Sequence, residues 1–308
     1  MRAPTGEQYV LTRSTPNGDA EAIITQVAAA IRTLRIGGVD LTQPYPEHSK
    51  PPFGDGIVLV PWPNRIPDGQ WMLGGEKQQL DLTEPDRHNA IHGLLRFTAY
   101  RFVERTESSL TLAATVYPQH GYPFLLETEV TYELVDDGLT VTHRIVNESD
   151  SPAPVAIGTH PFFSIGDVAT DELTLTVHAA TRFPVDERLN VSAEVAVEGT
   201  DYDLRRGRLV ADLDLDDAFG DVSPDGQVTA VLSAPDGRSV SLWQDQNFPY
   251  VQVFTTRIFP HGTLKVTAIA IEPMTAPANA FNTQQSLRWV EPGETWQASW
   301  GIRYAPAR

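Results

Sequence analysis

Cysteine is absent from this 308-residue chain. Its absence excludes disulfide bonds, thiolate zinc ligands and a cysteine nucleophile. The sequence also lacks a run of about 18 apolar residues and an apolar h-region near its start, which are the marks of a membrane span and of a secretory signal. We therefore expect a soluble, cytoplasmic protein that does not act at a membrane.

Basic residues are few. Lysine and arginine number 23 against 40 aspartates and glutamates, and the formal net charge is −17. Nucleic acids and anionic lipids are bound by basic surfaces, so this balance argues against both as partners. The hydrophobic share of 41% and the charged share of 20% are typical of a globular protein. The length suits one large β-sandwich, and we expect a single domain over residues 1–308.

Helical periodicity is rare, whereas short alternating runs separated by glycine and proline recur along the chain. The clearest hairpin covers residues 126–146 with a turn at Asp136-Asp137-Gly138, and a second covers residues 228–243 with a turn at Pro235-Asp236-Gly237. This rhythm predicts an all-β protein built from antiparallel sheets. Further strands are predicted at residues 109–116, 173–177, 250–255, 264–271 and 295–304.

One segment does not fit this pattern. In residues 23–34 the apolar side chains recur with a period near 3.6, which by itself predicts a helix. Loops are predicted at residues 43–56, 84–89 and 274–282, and the first of these is expected to form part of the rim of a binding site.

The segment 156–166, A-I-G-T-H-P-F-F-S-I-G, places one histidine where an apolar run turns into a loop. Gly158 gives the backbone freedom, and Pro161 forces the residues before it towards an extended conformation. His160 would then face a cleft from a rigid backbone, and an imidazole can give or take a proton near neutral pH. A packed core histidine is the alternative, so the other motifs decide between them.

Two further motifs occur earlier in the chain. P-W-P-N-R-I-P-D-G at residues 61–69 places Asn64 and Arg65 between prolines, which leave these side chains little freedom to lose on binding. An amide and a guanidinium held in this way suit sugar hydroxyls, carboxylates or phosphates, although a surface turn with a salt bridge has the same sequence. N-A-I-H-G at residues 89–93 places His92 before a glycine.

Two acidic motifs follow. L-D-L-D-D-A-F at residues 213–219 is either a solvated turn or a source of a carboxylate for the cleft, and its spacing does not fit an EF-hand loop. A-I-A-I-E-P-M-T at residues 268–275 ends an apolar strand on Glu272. A buried carboxyl is unfavourable unless it is paired or used, and burial raises its pKa while hydrogen-bond donors lower it. Glu272 is therefore a candidate general base.

Two other kinds of site can be weighed against this one. His92, His160 and Glu272 form a two-histidine, one-carboxylate set of a kind that can hold a metal ion. The tight H-x-H or H-x-x-x-H spacing that usually goes with such sites is missing, so we expect no metal. A Ser/His/Asp hydrolase is disfavoured because the chain has no G-x-S-x-G motif.

Taken together and in this order, N-R, I-H-G, T-H-P-F-F, D-D-A-F and I-E-P resemble the motifs of the aldose 1-epimerase (galactose mutarotase) family. The resemblance spans almost the whole chain, and the motifs are specific as a set. It implies a large antiparallel β-sandwich, the galactose mutarotase-like supersandwich. The family's equivalent of residues 23–34 is strand, so we predict strands there against the local helical period.

The same resemblance implies an enzyme that interconverts α and β anomers of aldoses without a cofactor. By it, Glu272 is the general base that takes the proton of the anomeric hydroxyl, and His160 is the general acid that protonates the ring oxygen. Asp216 is preferred to Asp217 because it lies three residues before Phe219, as in the family's D-x-x-F pattern. The positions that match sugar-binding residues of the family are Asn64, Arg65, His92 and Asp216.

One difference between this sequence and the family's motifs concerns the substrate. The run H-G-L-L-R-F at residues 92–97 resembles the H-G-F-x-R run of hexose-6-phosphate epimerases, in which an arginine helps to hold the phosphate, yet those enzymes generally lack the N-R motif. Arg96 is expected either to bind an anionic group on C6 of the sugar or to pair with an acid of the fold. Trp62, Phe162 and Phe163 are expected to stack on the sugar or to pack in the core.

We therefore predict a mutarotase for a free aldohexose. The alternatives are a mutarotase for a C6-phosphorylated or sulfonated hexose and a non-catalytic sugar-binding protein on the same fold. The expected partner is a small-molecule sugar, and the protein is expected to be a monomer or a homodimer.

Overall fold

The computed structural model describes residues 2–222 and 228–307, and most of its regular structure is β-strand. The first nine strands are β1 (Gln8–Thr15), β2 (Gly18–Thr25), β3 (Ile31–Ile36), β4 (Val39–Asp40), β5 (Val58–Leu59), β6 (Arg65–Pro67), β7 (Gln70–Leu73), β8 (Glu76–Gln79) and β9 (Asn89–Ile91). The next nine are β10 (Arg101–Arg105), β11 (Ser109–Val116), β12 (Leu126–Val135), β13 (Gly138–Asn147), β14 (Ala153–Val155), β15 (Gly158–Thr159), β16 (Phe162–Phe163), β17 (Thr174–Val177) and β18 (Ala179–Phe183). The last nine are β19 (Val195–Ala196), β20 (Arg208–Leu209), β21 (Asp216–Val222), β22 (Val228–Ser233), β23 (Ser239–Gln244), β24 (Tyr250–His261), β25 (Leu264–Met274), β26 (Arg288–Val290) and β27 (Thr295–Ala305).

Helical structure is minor. Within the described residues it consists of one short α-helix and four 3₁₀ turns, located at Ala280–Thr283 (α1) and at Pro52–Gly54, Pro85–Arg87, Thr170–Glu172 and Val210–Asp212. Among these residues, no helix is long and apolar enough to cross a membrane.

Two large antiparallel sheets share one hydrophobic core. The first has nine strands in the order β10-β11-β12-β13-β27-β23-β22-β17-β20. The second runs β19-β18-β21-β24-β25-β15-β5, and β16 also pairs with β25. A four-stranded sheet of β1 to β4 and three two-stranded ribbons complete the described fold. The predicted antiparallel β-sandwich is thus confirmed.

The two predicted hairpins are present as β12–β13 and β22–β23, and their turns lie at the predicted Asp-Gly positions. The segment 23–34 lies in β2 and β3, as the family resemblance predicted and its local period did not. The turn between these strands contains Ala28 and Ala29 with positive φ, and the pairing shifts register after Ile23. These two irregularities break the period-two alternation and explain why the sequence looks helical.

The alternation of β24 and β25 separates the core from the opposite face of the second sheet. Val251, Val253, Ile269 and Ile271 belong to the shared core. The residues between them face the other way, because successive side chains of a strand point to opposite faces. Glu272 is on that second face and lies opposite Gln252 in the ladder. The sheet therefore offers one polar face on which a site can be built.

The predicted loops are partly ordered. A 3₁₀ turn occurs within residues 43–56 and another within residues 84–89, while α1 begins inside residues 274–282. The sequence suggested that the strand ends on Glu272. Strand β25 instead continues to Met274, so Glu272 lies two residues inside it. This placement gives the Glu272 backbone the support of ladder pairing on β24.

Candidate active site

A cleft of about 360 Å³ opens at the polar face of the second sheet. Every residue predicted for the site lines it, and these residues are Asn64, Arg65, His92, Arg96, His160, Asp216 and Glu272. Other residues of the wall were not predicted for the site, although Phe53 lies in the loop 43–56 that was expected to form part of the rim, and they are Phe53, Thr83, Glu84, Arg87, Ile91, Leu189, Gln252 and Phe254. Five motifs that are far apart in the sequence thus meet in one cavity.

The N-R and I-H-G motifs lie side by side because β6 pairs with β9 and places Arg65 opposite Ile91. Asn64 and His92 both have positive φ and bind each other. The Asn64 backbone N–H donates to His92 Nδ1 at 3.2 Å, and the His92 N–H donates to the Asn64 carbonyl at 3.0 Å. Since Nδ1 accepts, a neutral His92 carries its proton on Nε2, where it can donate to a ligand.

Gly93 is required for this arrangement. A Cβ at this position would lie 2.1 Å from the carbonyl oxygen of Val60, and the residue has positive φ. Leu94 N–H then donates to the same carbonyl at 2.8 Å. The close approach of the two backbone segments fixes the direction in which His92 enters the cleft.

His160 lies between β15 and β16, as its sequence context predicted. Its ring stacks on Phe162 with centroids 5.4 Å apart and meets His92 edge-on at 5.5 Å. His160 Nδ1 has no hydrogen-bond partner among the described residues. The ring is thus positioned by packing, with Nδ1 buried and Nε2 facing Glu272.

Glu272 is the acid that faces His160. Its Oε1 lies 3.4 Å from His160 Nε2, and its Oε2 has no hydrogen-bond partner among residues 2–222 and 228–307. The Glu272 residue is only 1% exposed, although its carboxyl borders the cleft. A carboxyl and an imidazole this close together, each with an atom that has no hydrogen-bond partner, can act as an acid–base pair.

The surroundings shift the two pKa values in opposite directions. Burial raises the pKa of Glu272 well above its usual range, the Asp216 charge acts in the same direction, and Arg65 opposes them. Burial lowers the pKa of His160 to about 4, and the Arg65 charge adds to this effect. These shifts favour a protonated Glu272 beside a neutral His160, so the two groups share one titratable proton.

Arg65 is held by two acids. Its Nε donates to Glu84 Oε2 at 2.9 Å, its Nη2 donates to Glu84 Oε1 at 3.1 Å, and its Nη1 lies 3.5 Å from Asp216 Oδ2. This bidentate pair leaves other N–H groups of the guanidinium free for a ligand. Glu84 was not identified from the sequence, because an acid before a proline in a polar loop is typical of a solvated turn.

Two carboxylates of the acidic motif at residues 213–219 lie in different places. Asp216 lies in the cleft and accepts a hydrogen bond from Gln252 Nε2 at 2.7 Å, whereas Asp217 pairs with Arg182 at 2.7 Å outside it. Gln252 was also missed. The signal that could have revealed it is a lone amide within the apolar run V-Q-V-F, since a polar residue in a buried strand needs a partner.

The aromatic residues of the cleft are not those considered from the sequence. Trp62, Phe162 and Phe163 are all buried, so core packing describes them. The rings that line the cavity are Phe53 and Phe254, whose centroids are 6.0 Å apart. Phe53 is 42% exposed, so it offers an open apolar face to a ligand.

Arg96 lies where the cleft meets a neighbouring groove of about 450 Å³. Its Nη2 donates to the Thr83 carbonyl at 3.0 Å, and its guanidinium lies 4.7 Å from the centre of the Phe97 ring. No salt bridge of Arg96 within 4.0 Å occurs among the described residues, although the nearby Glu84 charge opposes the effect of burial, which lowers the pKa of Arg96. Arg96 therefore borders the cleft with part of its guanidinium unpaired.

A metal site was the first alternative for these residues. In the part of the chain that the structure describes, no group of three or more histidine, cysteine, aspartate or glutamate side chains is arranged to hold a metal ion. His92 Nδ1 is occupied by the Asn64 backbone N–H, which leaves one ring nitrogen of that residue for another role.

Comparisons with known proteins identify the fold and the family. An uncharacterized protein of Escherichia coli K12, YihR, is 32% identical over 284 residues, covering 92% of this chain and 90% of that protein. Solved structures are similar over nearly their whole length at lower identity. A GalM/aldose epimerase homologue from C. elegans superposes with a TM-score of 0.86 at 16% identity, covering 98% of this chain and 100% of that one. A galactose 1-epimerase from Lactobacillus acidophilus NCFM gives 0.76 at 20% identity, covering 98% and 99%. The model of the aldose 1-epimerase family matches residues 13–303, and the chain therefore belongs to this family.

Proposed function

We propose that the protein is a mutarotase that interconverts the α and β anomers of a free aldohexose, with Glu272 and His160 as the proton-transferring pair. The observation that carries this proposal is the 3.4 Å approach of the two groups in a cleft of about 360 Å³, a size suited to one small ligand. The remaining cleft residues supply the amide, guanidinium, imidazole and carboxylate groups that sugar hydroxyls bind.

Ring opening needs one proton removed and one delivered. The Glu272 carboxylate takes the proton of the anomeric hydroxyl, the C1–O5 bond breaks, and O5 receives a proton from the His160 imidazolium. The products are an aldehyde, a protonated Glu272 and a neutral His160. Rotation about C1–C2 presents the other face of the aldehyde, and the same two transfers in reverse close the ring.

Before and after ring opening, Glu272 and His160 together therefore carry one titratable proton. The pKa shifts favour the protonated Glu272 with neutral His160, which is the state that the pair reaches with the open-chain sugar. Desolvation thus lowers the free energy of that arrangement relative to the separated charges. The Arg65 charge favours the Glu272 carboxylate but disfavours the His160 imidazolium, so it acts on the two groups of the pair in opposite directions.

Exchange NMR tests the proposal. We expect saturation transfer between the α and β signals of glucose or galactose to become faster with catalytic amounts of the protein, at a constant buffer composition. The same panel should include both 6-phosphates. Tight sugar binding by calorimetry without faster exchange for any of them would contradict the mutarotase and favour a binding protein.

A second candidate is a mutarotase for a hexose with an anionic group on C6, phosphate or sulfonate. It is favoured by Arg96, which borders the cleft, forms no salt bridge within 4.0 Å among the described residues and lies next to the adjoining groove. A guanidinium with free donors binds such anions through parallel hydrogen bonds. In this version Arg65 and Asp216 hold the ring hydroxyls and Arg96 holds the substituent.

For this candidate we expect Arg96→Ala to raise KM for the anionic sugar by about 10-fold to 100-fold, because a charge-assisted bidentate contact is lost. The rate with a neutral hexose should not change. Arg101→Ala is the control, since Arg101 is an exposed arginine that pairs with Glu127 and does not line the cleft. Equal effects of Arg96→Ala on neutral and anionic sugars would contradict the assignment.

A further inference from the structure

Asp55 is a buried carboxyl beside the segment that carries His160. It is 0% exposed and lies between Gly54 and Gly56, which both have positive φ. A Cβ on Gly56 would lie 2.2 Å from the carbonyl oxygen of Ile31, so the chain here is tightly packed. Neither the sequence motifs nor the proposed proton transfer uses this acid. An acid in such a place is unfavourable unless it has a partner or a task.

Hydrogen bonds join the Asp55 segment to the His160 segment on both sides of the histidine. The Gly56 N–H donates to the His160 carbonyl at 2.8 Å, and the His160 N–H donates to the Ile57 carbonyl at 3.1 Å. Beyond the histidine, the Phe162 N–H donates to Asp55 Oδ1 at 3.1 Å. The side chain of Asp55 therefore continues the pairing of the two segments past His160.

We infer that Asp55 is a positioning residue for His160, because its Oδ1 anchors the Phe162 amide and so fixes the His160 ring, stacked on Phe162, at its distance from Glu272. The inference rests on the proposed function in one respect, since the proton-transferring role of His160 is part of that proposal. Asp55 itself does not line the cleft. It acts through the backbone on either side of Pro161.

The feature of Asp55 that matters is an acceptor oxygen and not a negative charge. Burial raises the pKa of Asp55 well above its usual range, and the Phe162 N–H only partly opposes this. Its Oδ2 has no hydrogen-bond partner within the described residues. The hydroxyl of Tyr45 is also buried and without a hydrogen-bond partner there, and burial raises its pKa. The surroundings thus favour the neutral acid, whose shape an amide reproduces.

Two substitutions of nearly equal size separate these properties. Asp55→Asn keeps the acceptor at Oδ1 and removes the possibility of charge, so kcat should stay within about twofold of the wild type. Asp55→Leu fills the same space without an acceptor, and we expect kcat to fall about 100-fold while KM changes little, because a displaced His160 affects proton transfer more than sugar binding. Asp55→Ala is a second variant without an acceptor.

The readouts are anomer exchange by NMR, the melting temperature, and the ¹⁵N shifts of the His160 ring. The inference is supported if the folded Leu or Ala variant loses kcat and shows displaced His160 signals while the Asn variant matches the wild type. It is overturned if the Asn variant loses as much kcat as the Leu variant, or if a folded variant without an acceptor keeps the wild-type kcat. Failure of both variants to fold would assign Asp55 to stability alone and would also overturn it.

Failure of the proposed function can be told apart from failure of this inference. If the wild type does not accelerate anomer exchange for any sugar, the mutarotase proposal fails, but the ¹⁵N shifts of His160 in the Asn and Leu variants still test the positioning. Displaced signals in the Leu variant alone would then support the role of Asp55 without any assay of activity.

Discussion

Glu272→Gln is expected to lower kcat for anomer exchange by about 10²-fold to 10⁴-fold, the range that general acid–base groups contribute. The amide keeps the size of the side chain and cannot take the proton of the anomeric hydroxyl. His160→Ala should have an effect of the same order, because the ring oxygen then lacks its proton donor. Polarimetry or exchange NMR at saturating sugar measures both, with the spontaneous rate subtracted.

A double variant with Glu272→Gln and His160→Ala tests whether the two groups act as one pair or contribute to the rate independently. Since the two groups share one proton across 3.4 Å, removal of both should cost little more than removal of one. Multiplication of the two single effects would contradict the paired mechanism. Wild-type rates in either single variant would refute the assignment of that residue.

The same Glu272→Gln variant is expected to be more stable than the wild type at pH 7, because burial raises the pKa of Glu272 well above its usual range and the amide has no charge to bury. The sign follows from proton binding. When the pH is above about 4.3, the ordinary pKa of a glutamate, Glu272 is more protonated in the folded protein than in the unfolded chain. The free energy of unfolding of the wild type therefore falls as the pH rises. The advantage of the Gln variant should vanish below about pH 4. Urea unfolding at several pH values tests this.

Arg65→Ala is expected to weaken sugar binding and to destabilise the fold. It leaves Glu84 and Asp216 without their cation in a largely buried place, and breaking such a pair typically costs about 3–5 kcal/mol. The Glu272 pKa should rise further, because Arg65 now opposes that rise. We expect kcat/KM to fall about 100-fold, mainly through KM, from the loss of charge-assisted hydrogen bonds to the sugar.

Arg182→Ala is a matched control for Arg65→Ala. Arg182 forms a comparable ion pair with Asp217, at 2.7 Å and with similar burial, outside the cleft. Its removal should lower the melting temperature and leave KM unchanged. Arg65→Lys should fall between the alanine variant and the wild type, because a lysine keeps the charge and loses the bidentate fork. Equal KM values for both alanine variants would contradict a binding role for Arg65.

Much of the fold could be predicted because local signals agree with the tertiary structure. In the hairpin of β12 and β13, the alternation of apolar residues and the Asp-Gly turn specify the same register that the sheet adopts. Residues 23–34 are the opposite case. Their pairing depends on a turn with left-handed residues and on a register shift, and neither leaves a readable pattern in the sequence.

The site likewise contains residues that have a local signal in the sequence and residues that have none. His160 is marked in the sequence by the glycine and proline that shape its backbone, and Glu272 is marked by an apolar run that ends in an acid. Glu84, Gln252 and Phe53 carry no such mark, since their roles come from neighbours that are far away in the chain. The choice among aromatic residues also needed the structure, because only exposure separates a ring that lines a cleft from one that packs beneath it.

The backbone around His160 is bonded to β25 on both sides of the histidine. Gly158 pairs with Met274 and Phe162 pairs with Ala270, so the two contacts bracket Glu272 on the partner strand. The distance between imidazole and carboxyl is therefore set by a β-ladder and by side-chain packing. It does not depend on the closing of a loop.

Other residues that line the cleft lie on other segments. Phe53 belongs to the loop at residues 43–56, and Glu84 and Arg96 belong to the stretch around β9. Apart from Asp55 and Gly56, which are bonded to the His160 segment, we expect these loops to accumulate substitutions without altering the ladder. A lineage can thus exchange one sugar for another while its reaction chemistry is inherited unchanged, and substrate preference should diverge among homologues sooner than the spacing of the two proton carriers.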